Sequence, residues 1–131
     1  MSESRKIELV TKLTMLKIGF KSDQDGFDYL CFAVQHVLNN NLFLFQLHKG
    51  LYLDIAKHFE VKTLDVERAI RHSVNTTSEC VSFDGLNELF GFLLYTIDGK
   101  PTIAELIRLL AEVYRLKLYK KFFDVDKLDL D

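Results

Sequence analysis

Apolar residues in this chain recur mostly three and four positions apart, and the pattern predicts helices with no confident strand. The stripe Ile7, Val10, Thr11, Met15 and Ile18 predicts a helix over 4–18, stopped by Gly19. Phe27, Leu30, Cys31, Val34 and Leu38 predict a second over 25–39, with Asp23 as a plausible N-cap and Asn39-Asn40-Asn41 as its break. Residues 46–59 and 63–77 form a helical hairpin across a tight turn, with Thr63 expected as the N-cap of its second helix. A short helix capped by Ser82 or Asp84 is expected to end near Phe90, before Gly91. Phe92–Ile97 has the composition of a strand, but a lone short strand has nothing to pair with. After the turn Asp98-Gly99-Lys100-Pro101, Thr102 and Glu105 spell a capping box at the head of the last helix. Its apolar face is Ile103, Leu106, Ile107, Leu110, Val113 and Tyr114. The expected fold is all-α: a compact bundle of about six helices containing a helix-turn-helix, over residues 1–121, with an acidic tail at 122–131.

The hairpin is the informative element. Ile55, Ala56 and Phe59 line its first helix, Val61 is placed to plug the corner, and Val66, Ala69, Ile70 and Ser73 face inward on the second. Small Ala56 suits the close crossing of a helix-turn-helix, whose second helix enters the DNA major groove. Asp65, Arg68, Arg71, His72 and Asn75 then face outward. Arginine forks onto guanine O6 and N7 and asparagine pairs with adenine, so this face carries suitable readers. The same spacing also fits a solvated helix on which Glu67 pairs with Arg71 at i+4, and periodicity alone leaves both readings open.

Composition narrows the class. One chain of 131 residues with near-average apolar content is long enough to bury a core. The densest apolar run, Leu42–Phe45, is far too short to span a bilayer, and the N-terminus has no secretory apolar segment, so a cytoplasmic protein without membrane contact is expected. Cys31 and Cys80 read as reduced core or boundary residues. His36, at a helix boundary, His48 and His58, on solvated faces, and His72 form no metal-ligand pattern. No phosphate loop and no nucleophile–base set is visible, so neither an enzyme nor a cofactor is expected. Phe43, Phe45, Phe90, Phe92, Phe122 and Phe123 read mostly as core.

The net charge of −2 is sorted along the chain. Segment 1–21 holds five Lys and Arg against two Glu, and segment 100–121 six against two. Segment 73–99 holds four acidic residues and no Lys or Arg, and 122–131 four acidic residues against Lys127. A basic patch can therefore coexist with acidic surface that meets a protein partner.

The block LYLDIAKHFEVKTLDVERAIRH followed by LNELFGFLLYTIDGKPTIAELIRLLAEVYRL resembles the C-terminal effector domain of the sporulation response regulators of the stage-zero sporulation protein A family. Asp54-Ile55-Ala56-Lys57, the run Val66–His72, Leu89-Phe90-Gly91 and Lys100-Pro101-Thr102 carry it, and fainter similarity reaches back to about Ile7. The resemblance implies a six-helix domain that binds a short DNA element through a helix-turn-helix, often as tandem dimers, and regulates transcription in spore formers. Together with the outward face of the second helix, this makes Arg68 and Arg71 the expected base readers, with Glu67 accepting from a cytosine amino group or orienting Arg71, His72 and Asn75 beside them on the DNA-binding face, and Lys57, Lys62 and Thr63 on the phosphate backbone. Where the family has a small polar and a basic residue before the shared run, this chain has Leu64 and Asp65; the usual proline before Asp54 is Leu53. The basic, tryptophan-containing end of the family's recognition helix is replaced by Asn75-Thr76-Thr77-Ser78-Glu79-Cys80. No receiver domain precedes the effector pattern, so control by phosphorylation of this chain is not expected.

The expected function is sequence-specific recognition of double-stranded DNA by a transcription regulator. A homodimer through the last helix is also expected, with Leu109, Leu116, Leu118 and Tyr119 extending its apolar surface, as is a contact to RNA polymerase. The alternative is a non-enzymatic interaction module that pairs with a full-length regulator or RNA polymerase and binds DNA weakly.

Overall fold

The computed structural model describes residues 1–39 and 50–128. Six α-helices follow one another: α1 Glu3–Ile18, α2 Asp25–Asn39, α3 Tyr52–Phe59, α4 Thr63–Cys80, α5 Asp84–Phe90 and α6 Ile103–Arg115. Two short 3-10 turns, Leu118–Lys121 and Val125–Leu128, close the described chain. No strand occurs among the described residues. The break at Asn40-Asn41, the start of the third helix at 46, and Phe43, Phe45 and His48 lie outside the described residues.

Helix α2 is the central element. It buries Phe27, Leu30, Ala33, Val34 and Val37, and it packs against α1, α4 and α6. Gly26, in its first turn, stands where a Cβ would lie 2.4 Å from the Ala69 carbonyl oxygen of α4, so the two backbones approach as closely as only glycine allows. Helix α6 closes the other side with Leu106, Ile107, Leu110, Ala111 and Val113.

Helix ends follow local chemistry. The Ser2 hydroxyl accepts from the Arg5 N–H at 3.2 Å, and Gly19 ends α1 in the left-handed region at φ 117°. Gly91 ends α5 in the same way at φ 81°. The Thr102–Glu105 capping box forms in both directions at 3.1 Å, and it holds the Glu105 carboxyl below its ordinary pKa. Thr63 is the first helical residue of α4, not its cap; Lys62 takes the cap position with no side-chain bond. Ser82 Oγ accepts from the Asp84 N–H at 3.3 Å, just ahead of α5.

Phe92–Ile97 is held without a strand partner. The Asn87 amide on α5 accepts from the Leu94 and Tyr95 N–H groups at 2.7 and 3.0 Å and donates to the Tyr95 carbonyl at 2.8 Å. One side chain thus takes the backbone bonds that a neighbouring strand would otherwise supply. Phe92, expected in the core, is 60% exposed. Phe122 is 43% exposed beneath the Lys17 ammonium, which lies 3.9 Å from its ring centre.

Packing continues past Lys121. Tyr119 is buried, its ring stacked between Tyr114 and Phe123, and Val125 joins the core. Tyr119 is therefore used inside the monomer and is not available to a second copy, contrary to the surface expected for the last helix. Leu109 and Leu118 are half-buried against the core, which leaves Leu116 as the exposed apolar residue of that set. Of the cysteines, Cys31 is buried and its thiol is pushed up to about 12 by desolvation, while Cys80 is exposed; both are free.

Candidate nucleic-acid interface

The hairpin forms as α3, a three-residue turn and α4. Ile55 and Ala56 are buried under the crossing, Phe59 is half-buried, and Val66, Ile70, Ser73, Val74 and Thr77 form the inner stripe of α4. The turn differs from expectation in one respect. Glu60 adopts the left-handed region at φ 58°, and its N–H and that of Val61 both return to the Ala56 carbonyl. Closing the helix in this way leaves Val61 36% exposed, so it does not plug the corner.

A 100° step around α4 from its buried stripe places Leu64, Arg68, Arg71 and Asn75 in one outward row, with Asp65 and His72 beside it. Arg68 and His72 are exposed, and no hydrogen bond or ion pair to the described residues engages them. Leu64, at the first turn, is 53% exposed. The Arg71 guanidinium donates to the Glu67 carboxylate at 3.1 Å, an exposed i+4 pair worth a few tenths of a kcal/mol. Such a pair restrains Arg71 and releases it readily to a stronger acceptor. Lys57 and Lys62 are exposed on α3 and the turn, and Thr63 is half-buried at the head of α4.

Glu67, Arg71 and Asn75 also line a cleft of about 410 Å³ between α4 and the head of α6. Its floor is Tyr52, 1% exposed, whose phenol is pushed up to about 12 by burial and, secondarily, by the Glu67 carboxylate. On the far wall stands Lys100, whose Nζ donates to Asn75 Oδ1 at 2.7 Å. Asn75 was expected to pair with adenine; its amide oxygen is occupied here by a lysine outside the hairpin. Lys100 was legible only as part of the Lys-Pro-Thr run before the last helix, with no signal that it reaches α4.

The electrostatics of the hairpin are balanced. Between residues 50 and 72, Lys57, Lys62, Arg68 and Arg71 meet Asp54, Glu60, Asp65 and Glu67, four of each sign. Arg68 and Arg71 nonetheless stand on one exposed row, so charge is arranged locally even though it cancels in sum. Among the described residues, no group of three or more His, Cys, Asp or Glu is placed to hold a metal ion. No described helix is long and apolar enough to cross a membrane.

Residues 10–113 match the family model described as the sporulation initiation factor Spo0A C terminal. The match spans most of the chain and takes in the hairpin, the cleft and nearly all of α6. The chain belongs to this family of helical DNA-binding effector domains.

Proposed function

On the premise of that membership, we propose that this protein recognises specific double-stranded DNA sequences through α4 and regulates transcription by doing so. The observation that carries this reading is the outward row of Arg68, Arg71 and Asn75 on the second helix of the hairpin, with Arg68 and His72 unengaged by the described residues. In the major groove Arg68 and Arg71 meet guanine edges, and Glu67 either accepts from a cytosine amino group or orients Arg71. His72 flanks the row, and Lys57, Lys62 and Thr63 hold the sugar-phosphate backbone without reading sequence. The activity is binding and not catalysis. Its partners are double-stranded DNA, a second copy on an adjacent half-site, and RNA polymerase.

A titration of the chain against a duplex selected from a random pool, beside a scrambled duplex, tests the reading. Arg68→Ala and Arg71→Ala are each expected to lose roughly 1–3 kcal/mol on the selected duplex and less on the scrambled one. Equal losses on both would reduce these residues to phosphate contacts. One observation favours the interaction-module reading: the exposed Val81, Leu93 and Ile97 line a cleft with Asp84 in a segment without cations. Failure of the wild-type chain to bind any duplex would favour that second reading.

A further inference from the structure

We infer that Lys100, outside the helix-turn-helix, is itself a DNA contact, and that its bond to Asn75 decides which bases Asn75 accepts; this rests on the DNA-binding reading above. Lysine has three N–H donors and no acceptor, so the Asn75 oxygen must face it and the amide NH2 must face away. Pairing with adenine requires both atoms of the asparagine amide, the oxygen accepting from N6 and the NH2 donating to N7. The oxygen gives one of its two lone pairs to the lysine and is turned toward it, so the NH2 is the part of Asn75 best placed to meet a base. The matching partners of that NH2 are then guanine O6 and N7 or thymine O4.

The ammonium keeps two protons after serving Asn75, enough for a phosphate oxygen. Its place is suited to one. An α-helix in the major groove has a phosphate backbone on each side, and Lys100 is carried beside α4, on the wall of the cleft that flanks the reading row. The position is anchored, because buried Pro101 and the Thr102 capping box follow at once. The need is also visible in the charge pattern. No Lys or Arg occurs between Arg71 and Lys100, so the last turns of α4 carry no cation of their own. The hairpin's own charges cancel, and a cation delivered from the loop before α6 restores attraction at that end.

Binding to the selected duplex is measured by fluorescence anisotropy over a range of KCl, together with a scan of single base-pair changes. The proteins are the wild type, Lys100→Gln, Lys100→Arg and Asn75→Ala. Lys100→Gln is expected to reduce the slope of log K against log salt by about 0.9, equivalent to about 8-fold in affinity near 0.1 M salt. It should also move one position of the preferred site toward adenine, because Asn75 is released to turn; Lys100→Arg should retain the slope. Asn75→Ala should lose the preference at that same position. Circular dichroism melts are expected to be unchanged, since Lys100 is exposed. Unchanged slope and base preference in Lys100→Gln, with a wild type that binds specifically, would overturn this inference and leave the DNA-binding reading standing. A wild type that binds no duplex would overturn both.

Discussion

Gly26→Ala sets two known effects against each other. In a helix interior, replacing glycine by alanine is favourable by up to about 1 kcal/mol, and less in a first turn, where Gly26 lies. The added Cβ, however, would stand 2.3 Å from Ser73 Oγ, 2.4 Å from the Ala69 carbonyl oxygen and 2.9 Å from the Ala69 carbonyl carbon. A hydroxyl rotates away; a backbone carbonyl inside a helix does not. Overpacking of this kind costs about 1–3 kcal/mol. Turning the Ser73 hydroxyl also disturbs its 3.0 Å bond to the Gln24 side chain, worth about 1 kcal/mol. Overpacking therefore wins, with a net loss of about 1–3 kcal/mol. At this chain length that lowers Tm by roughly 4 °C per kcal/mol. The strain falls on the back of α4, so the reading row shifts with it and DNA affinity should drop as well. Urea titration and thermal melts of Gly26→Ala, alone and with Ser73→Ala, give the answer. The double variant should recover only part of the loss, because the carbonyl clash remains. A Gly26→Ala protein as stable as the wild type, or full rescue by Ser73→Ala, would refute the argument that backbone is the obstacle.

Asp65→Arg should tighten DNA binding and steepen its salt dependence by up to about one unit of slope, as one added phosphate contact would; an unchanged slope would mean that this end of α4 does not approach the backbone. Stability should fall between pH 9, where the Cys31 thiol begins to ionise in the unfolded chain but not in the fold, and pH 12. Burial pushes the Tyr52, Tyr95 and Tyr114 phenols up to about 12, whereas the unfolded chain ionises near the ordinary 10, so the unfolded state gains as pH rises through that window. Urea midpoints at pH 9, 10, 11 and 12, with absorbance at 295 nm following ionisation, check this; a midpoint flat across the window would count against it.

What could be read from the sequence is what local rules determine. A 3.6-residue period identifies α1, α4 and α6 because each buries a single stripe, and α2 because its broader buried face keeps the same period; Gly19, Gly91 and the Thr102 box mark ends through bonds only a few residues apart. The outward row of α4 follows from the same period. What stayed hidden depends on neighbours distant in sequence. Lys100 meets Asn75 across 25 residues, and Gly26 meets Ala69 across more than forty; periodicity within one helix carries no trace of either contact. Gly26 did leave a weak signal, since a glycine at a helix start gains nothing from propensity and points to a close approach. Val61 was misplaced for a local reason of another kind: the left-handed conformation of Glu60, where glycine is the usual choice, turns the following side chain outward.

The same logic accounts for Asp65, the residue least expected on a helix presented to DNA. Helix α4 begins without a side-chain cap: Lys62 at the cap position makes no such bond, and Thr63 is already inside the helix. The amide groups of the first turn are then left to water and to whatever negative charge lies near them. Asp65 is the acidic residue of that turn, and a carboxylate there stabilises the helix by about 0.3–1 kcal/mol through the dipole. On the proposed mode of binding, that same carboxylate faces the phosphates. The two roles then oppose each other: the residue that secures the start of α4 would weaken its hold on the DNA backbone. Under the same proposal, Arg68 and Arg71 on the helix and Lys100 beside it would offset that repulsion. Asp65→Arg should accordingly gain affinity while losing up to about 1 kcal/mol of stability, a pairing of opposite signs that neither effect alone would produce.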